Sequence, residues 1–242
     1  MERLSSGNRV NSAADDAAGL AVAGKMESQL RGINMSIRNA QDGVGLIQTA
    51  ESGVNEIRNM VLRIRELAVQ MANGIYEDTP DRDNAQLEVT ALIDQVTLIA
   101  ENTRFNDIAV LDGSFTGVTI QAGNTTSETI TLSFIDTASS GLSIDTATVA
   151  TQSDATVAMG TMDTALQTIA SEQAKFGSLI NRLNFSVANQ SKASVMTEQA
   201  IGRVMDADFA TETTNLSKQQ ILNQAATSML AQANQSKQSI LA

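Results

Sequence analysis

The chain has 242 residues and a formal net charge of −11, with 42 % hydrophobic but only 3 % aromatic residues, no His, no Cys and one Pro. Without His or Cys it has no Ser–His or Cys–His pair, no thiolate chemistry and no zinc site of the usual kind. The acidic balance, with Lys and Arg scattered, argues against a nucleic acid as partner, and no apolar run is long enough to insert across a bilayer. A core of Ile, Leu, Val, Met and Ala suits close-packed helices better than a sandwich or barrel, and the single Pro80 leaves room for very long ones. No signal peptide is visible, so the reading is a cytoplasmic chain or one exported without a cleaved signal.

The chain opens on a loop-like run, "MERLSSGNRVNSAADDAAGLAVAG". Ser12 followed by Asp15 resembles a capping box. From Leu30 the apolar residues Ile33, Ile37, Ala40, Val44, Ile47, Ala50, Val54, Ile57, Val61, Ile64, Ala68 and Met71 step by three and four for about six heptads, with one slip near Ala50. One helix is predicted over about 14–72, roughly 85 Å long at about 1.5 Å per residue, with Asn73-Gly74 as its stop. A helix of that length with so narrow a seam needs long partners.

Thr79-Pro80-Asp81 reads as a helix start, with Thr as cap, Pro at the first turn and an acid at the positive end. Ala85, Val89, Leu92, Val96 and Ile99 give a second helix over about 80–101. "VTIQAG" and "TITLSFID" alternate in polarity around "NTTSE" and predict a β-hairpin over about 118–135. Residues 136–152 are rich in Ser, Thr, Ala and Gly and read as a connection. Met159, Met162, Leu166, Ile169, Gln173, Phe176, Ile180, Leu183 and Val187 define a long helix over about 154–206. Asp208 is a candidate cap for a last helix whose seam of Leu216, Ile221, Leu222, Met229 and Leu230 is thin. The expected fold is mainly α: an elongated rod of long antiparallel coiled-coil-like helices with a small β-hairpin, going out and coming back.

No catalytic, cofactor or metal site is predicted. "DTPDRDNAQLE" has the acid density of a calcium loop but lacks its Gly and ligand spacing, and Pro80 blocks the loop. Asp15 and Asp16 have no cleft, base or aromatic wall beside them. Gly43, Gly45 and Gly53 each cost a helix about 1 kcal/mol relative to Ala. They suggest close approach of another backbone, either the C-terminal long helix or a neighbouring subunit. Arg63 and Leu67 share a face four residues apart; composition alone reads them as a solvated Arg beside Glu66 and a half-buried Leu.

Five segments in this order, "ERLSSGNRVNSAADDAAGLAVA", "IRNAQDGVGLIQTAESGVNEI", "RIRELAVQMANG", "TRFND" and "ILNQAATSMLAQANQ", resemble bacterial flagellin. The resemblance covers roughly residues 2–113 and 160–242; residues 114–159 share only the hairpin character. It implies a non-enzymatic structural subunit of the extracellular flagellar filament. Its partners would be other flagellin subunits, the flagellar export machinery and a chaperone. It also implies a rod domain over 1–207, with 208–242 as the C-terminal helix of the filament's inner layer. The outer variable domain is replaced by the short Ser/Thr-rich connection, so a minimal form is expected. In flagellins a further helix precedes "ERLSSG" and pairs with the C-terminal helix. Met1 therefore reads as an initiator before a shortened chain, and the helix from Asp208 is expected to be ordered only when another molecule or a folded-back arm covers its apolar side. The resemblance further implies that Arg63, Leu67 and Glu88 contact the flagellin-sensing Toll-like receptor of innate immunity, although Leu62 stands where the receptor-binding type carries a polar residue. Two alternatives are a hook–filament junction protein, which shares the "RLSSG…DDAAG" motif, and an adhesin or glycan receptor on the same scaffold. The second lacks the aromatic platforms that sugars need.

Overall fold

In the computed structural model, which describes residues 2–241, a short helix α1 (Glu2–Ser6) and a loop lead into α2 (Ala17–Met71). A π-helical turn (Asp78–Arg82) and α3 (Asp83–Asn102) follow. Two small antiparallel pairs come next, β1 (Arg104–Phe105) with β2 (Ile108–Ala109) and β3 (Val118–Gln121) with β4 (Thr129–Leu132). The chain ends with α4 (Gln152–Met205) and α5 (Phe209–Leu241). The protein is mainly α, built on long helices. Its backbone divides into two compact units, residues 33–191 and residues 1–32 with 192–242.

Within the unit of residues 33–191, α2 and α4 run antiparallel. Gly43 lies beside Leu183, Gln173 donates to Asn55 at 2.7 Å, and Arg65 pairs with Asp163, so one numbering rises as the other falls. The heptad stripe of α2 is the core face: Ala40, Ile47, Ala50, Val54, Ile57, Val61, Ile64, Ala68 and Met71 are all buried. On α3 the buried line is Val89, Ile93, Val96 and Ala100. Leu92 and Ile99 sit at its edge, so the packed face is rotated from the predicted seam. On α4 the buried line passes through Ala158, Met162, Ala165, Ile169, Phe176 and Leu183, and it takes in Glu172 rather than Gln173. Glu172 is tolerated there because its carboxylate accepts from Lys175 Nζ at 2.9 Å and from the Ile135 amide.

Several helix ends differ from expectation. Helix α2 begins at Ala17, capped by Asp16, whose Oδ1 accepts the Gly19 amide at 2.8 Å. The Ser12/Asp15 pair closes a turn ahead of the helix instead. Asp15 Oδ2 takes the Ser12 hydroxyl and amide, each at 3.0 Å, and these bonds hold its carboxyl below the usual range. At the next start Thr79 is extended (φ −129°, ψ 125°), and its hydroxyl donates to Asp83 Oδ2 at 2.9 Å rather than accepting a helix amide. Helix α4 starts at Gln152 because Thr151 Oγ1 accepts the Asp154 amide and donates back to its carboxylate.

The β3–β4 ladder pairs Val118 with Leu132 and Gln121 with Thr129, and ends before the predicted limit at 135. Phe134 leaves the ladder to donate to the Phe115 carbonyl; its ring stacks on Phe115 at 4.8 Å between centroids and meets Phe176 edge-to-face at 4.9 Å. The connection 136–152 is no loose linker: Thr137, Ala138, Leu142, Ile144 and Val149 are buried. The β1–β2 hairpin was unforeseen. Its turn residues Asn106 and Asp107 both take positive φ, the conformation a two-residue hairpin needs.

In the other unit, the loop after α1 is tied to the end of α4. Arg9 donates through its amide to the Met205 carbonyl and through Nη2 to the Val204 carbonyl, and the Ala207 amide donates to the Gly7 carbonyl. Asp208 caps α5, accepting the Ala210 amide at 2.9 Å.

Candidate functional site

The end of α2 and the start of α3 enclose a shallow groove of about 350 Å³ lined by Arg63, Leu67, Gln70, Tyr76, Asp81 and Glu88, among others. The structure thus brings the three resemblance-derived residues together. Arg63 Nε donates to Glu88 Oε1 at 2.8 Å, and its Nη1 reaches Glu66 at 3.3 Å. The Glu88 hydrogen bond, with that to Glu66, raises the guanidinium above its ordinary basicity, so it is charged at every working pH. Leu67 is 4 % exposed, deeper than the half-buried residue expected, because it faces the α2 core line beside Met71. What the groove offers a partner is a paired charge at its rim and an apolar floor.

Sequence reasoning missed Gln70, Tyr76 and Asp81 in this groove. Gln70 Nε2 donates to the Tyr76 hydroxyl at 3.3 Å. The signal was available: Tyr76 is the chain's one Tyr, lying just past the helix stop. Beneath it Arg82, 3 % exposed, donates to the carbonyls of Met71, Asn73 and Tyr76 and to Asp78 Oδ1.

The three helical glycines face side chains of this chain. A Cβ on Gly53 would lie 2.7 Å from Leu111 and 2.8 Å from Thr103 Oγ1; on Gly43 it would sit 3.4 Å from Ile120 and Leu183; on Gly45, 3.9 Å from Phe105. Of these three only Gly53 is required by crowding, and its neighbours belong to the segment after α3.

A second surface is α5. Ile221, Leu222, Met229 and Leu230 are 50–72 % exposed. At helical pitch Leu222 and Met229 share one line, with Ile221 and Leu230 a quarter turn to either side. Within its own unit α1 reaches α5 through Arg3 and Glu212 at 3.2 Å, at the first turn and well short of that face. Among the described residues no acid cluster is suited to a metal, and no helix is long and apolar enough to cross a membrane.

The bacterial flagellin N-terminal helical region matches residues 1–116, and the bacterial flagellin C-terminal helical region matches residues 159–242. Among curated proteins, a flagellin of Halalkalibacterium halodurans is 37 % identical, covering 100 % of this chain and 89 % of its own length. A flagellar filament 33 kDa core protein of Treponema phagedenis is 39 % identical, covering 100 % and 90 %. Among solved structures, Bacillus cereus flagellin is 32 % identical with a TM-score of 0.57, covering 63 % of this chain and 88 % of its own. A putative flagellar hook-associated protein from Vibrio parahaemolyticus shares the fold at 12 % identity, with a TM-score of 0.66 over 79 % of this chain and 100 % of its own.

Proposed function

Because this chain belongs to the bacterial flagellin family, we propose that it is a structural subunit of the flagellar filament that polymerises through the apolar side chains α5 leaves open. The carrying observation is the broad apolar face of Ile221, Leu222, Met229 and Leu230, exposed on a helix capped and formed along its length. A helix that presents such a face to water gains by burying it against a second one, the hydrophobic term being proportional to apolar area. In this reading residues 1–207 stack in the filament's outer layer and the helix from 208 packs in its inner layer. Subunits reach the growing tip through the flagellar export machinery, attended by a chaperone, and work outside the cell. The test is electron microscopy and sedimentation of the full chain beside a Leu222→Ser, Met229→Ser variant. Filaments from the first and monomer of unchanged helicity from the second support the reading; equal polymerisation by both sinks it.

The groove supports a second role, contact with the flagellin-sensing Toll-like receptor through Arg63, Leu67 and Glu88. The favouring observation is that two exposed charges and an apolar floor converge in one recess. Reporter cells carrying that receptor, treated with monomer, are expected to respond, and Arg63→Ala is expected to weaken the response; an unchanged response rejects the role.

A further inference from the structure

The turn between α2 and α3 holds a reactive pair that the filament role does not use. Asn73 and Gly74 are exposed and adjacent. An Asn side chain followed by Gly can close on the next backbone nitrogen to form a five-membered succinimide, since no Cβ obstructs the approach.

We propose that Asn73–Gly74 is a self-modification site, at which the Asn73 side-chain amide is lost through a succinimide whose formation the buried Arg82 and the Ile75 amide promote. Three observations converge. Arg82 Nη2 donates to the Asn73 carbonyl at 3.0 Å. That carbonyl and the Gly74 N–H form one peptide group, so a cation on its oxygen draws electron density from the nitrogen and eases loss of the proton. The Ile75 amide donates to Asn73 Oδ1 at 3.3 Å, placing a donor on the oxygen that gains charge when Cγ is attacked. The Gly74 nitrogen is the attacking atom. Among the described residues no backbone hydrogen bond outside the helices engages it, whereas Ala72, Asn73 and Tyr76 all donate to carbonyls.

The chemistry balances with water alone. The Gly74 nitrogen gives up its proton and bonds to Asn73 Cγ; the Cγ–Nδ2 bond breaks and the nitrogen leaves as ammonia, carrying that proton. Water then opens the ring. Opening at Cγ leaves an aspartyl side chain on a normal backbone, and opening at the backbone carbonyl leaves the isoaspartyl linkage. The second product adds a methylene to the main chain and pulls the residue-73 carbonyl off Arg82. Either product puts a new negative charge at the C-terminal end of α2, where the helix dipole disfavours it.

The experiment incubates the full-length chain at mildly alkaline pH, once native and once in guanidinium chloride, and follows each Asn by peptide mass spectrometry with an isoaspartyl-specific methyltransferase label. In the native chain Asn73 is expected to convert at least as fast as in the denatured chain and ahead of the exposed loop residue Asn124. Arg82→Lys, which cannot span the same acceptors, is expected to return the native rate to the denatured one. Native conversion much slower than denatured overturns the proposal, because the turn would then protect Asn73. Should Arg82→Lys fail to fold, Gly74→Ala keeps the test open. Its Cβ meets Gln152 at an ordinary 3.5 Å and Gly74 is not among the positive-φ residues, so the fold survives. Conversion is expected to fall by about tenfold, equivalent to about 1.4 kcal/mol of barrier; an unchanged rate rules out attack by that nitrogen.

Discussion

Arg63 on α2 and Glu88 on α3 meet at 2.8 Å across the groove, each side chain nearly half exposed. Water screens such a pair, so it contributes little to holding the helices together; the shared apolar core, which takes in Val61, Ile64 and Ala68 of α2 and Val89 and Val96 of α3, does that. Glu88→Gln is therefore expected to leave the melting temperature almost unchanged at moderate salt. A large loss that persists at high salt would make the pair a structural bolt.

Glycines on the two long helices are expected to respond oppositely to alanine. Gly53→Ala drives a Cβ to within 2.7 Å of Leu111, so overpacking of about 1–3 kcal/mol outweighs the helix-propensity gain. Gly177, exposed on the outer side of α4 with nothing within 4 Å of its added Cβ, should gain about 0.5–1 kcal/mol. Thermal or urea melts of the two variants read both signs.

Acid should loosen α5 from its beginning. The Thr211 hydroxyl, then the Thr211 and Ala210 amides, hold the Asp208 carboxyl below its ordinary value of 3.8. A carboxylate held low adds stability that is complete above the unfolded value and lost as pH falls through the lowered one. Far-ultraviolet circular dichroism should therefore show helix loss below pH 3.8, and Asp208→Asn should lack the part due to this cap. Identical acid titrations of the two chains would refute it.

The three-ring cluster should be the costliest place to cut. Phe134 is 3 % exposed and touches both Phe115 and Phe176. Phe134→Ala is expected to lose about 3–5 kcal/mol in a denaturant melt. A loss well under that would mean the hairpin collapses onto the vacancy.

Polymerisation should strengthen with salt. Each subunit carries a formal charge of −11, and screening weakens repulsion between like-charged copies. The critical concentration is expected to fall as sodium chloride rises; indifference to salt would remove charge from the account.

The long helices were legible because three–four spacing of Ile, Val, Leu and Ala persists over many turns, and the stripe from Ala40 to Met71 is the buried face. Helix ends were less legible. Ser12, Asp15 and Asp16 are all good capping residues, and only the geometry selects Asp16. The Ser/Thr-rich stretch 136–152 was read as a connection because Leu142, Ile144 and Val149 are isolated in it, without a period; they are buried by tertiary contacts that no local pattern announces. At the groove, spacing offered Arg63 with Leu67, and the family resemblance supplied Glu88, but nothing local placed Tyr76 or Asp81 beside them. Leu67 was expected half-buried because its seam membership depends on how α2 is rolled against its neighbours.

The β3–β4 loop has an engineering consequence. Residues 124–128 are all exposed, while Gln121 Nε2 ties the loop's base by donating to the carbonyls of Gly123 and Thr125. A foreign peptide spliced between Thr125 and Ser127 would stand outside that clasp and leave Ala122, Ile130 and Leu132 in the core. The same peptide spliced at 138–149 would have to displace Leu142 and Ile144. The hairpin tip is thus the natural mount for displayed cargo, and a filament of such subunits would repeat that cargo once per copy along its length.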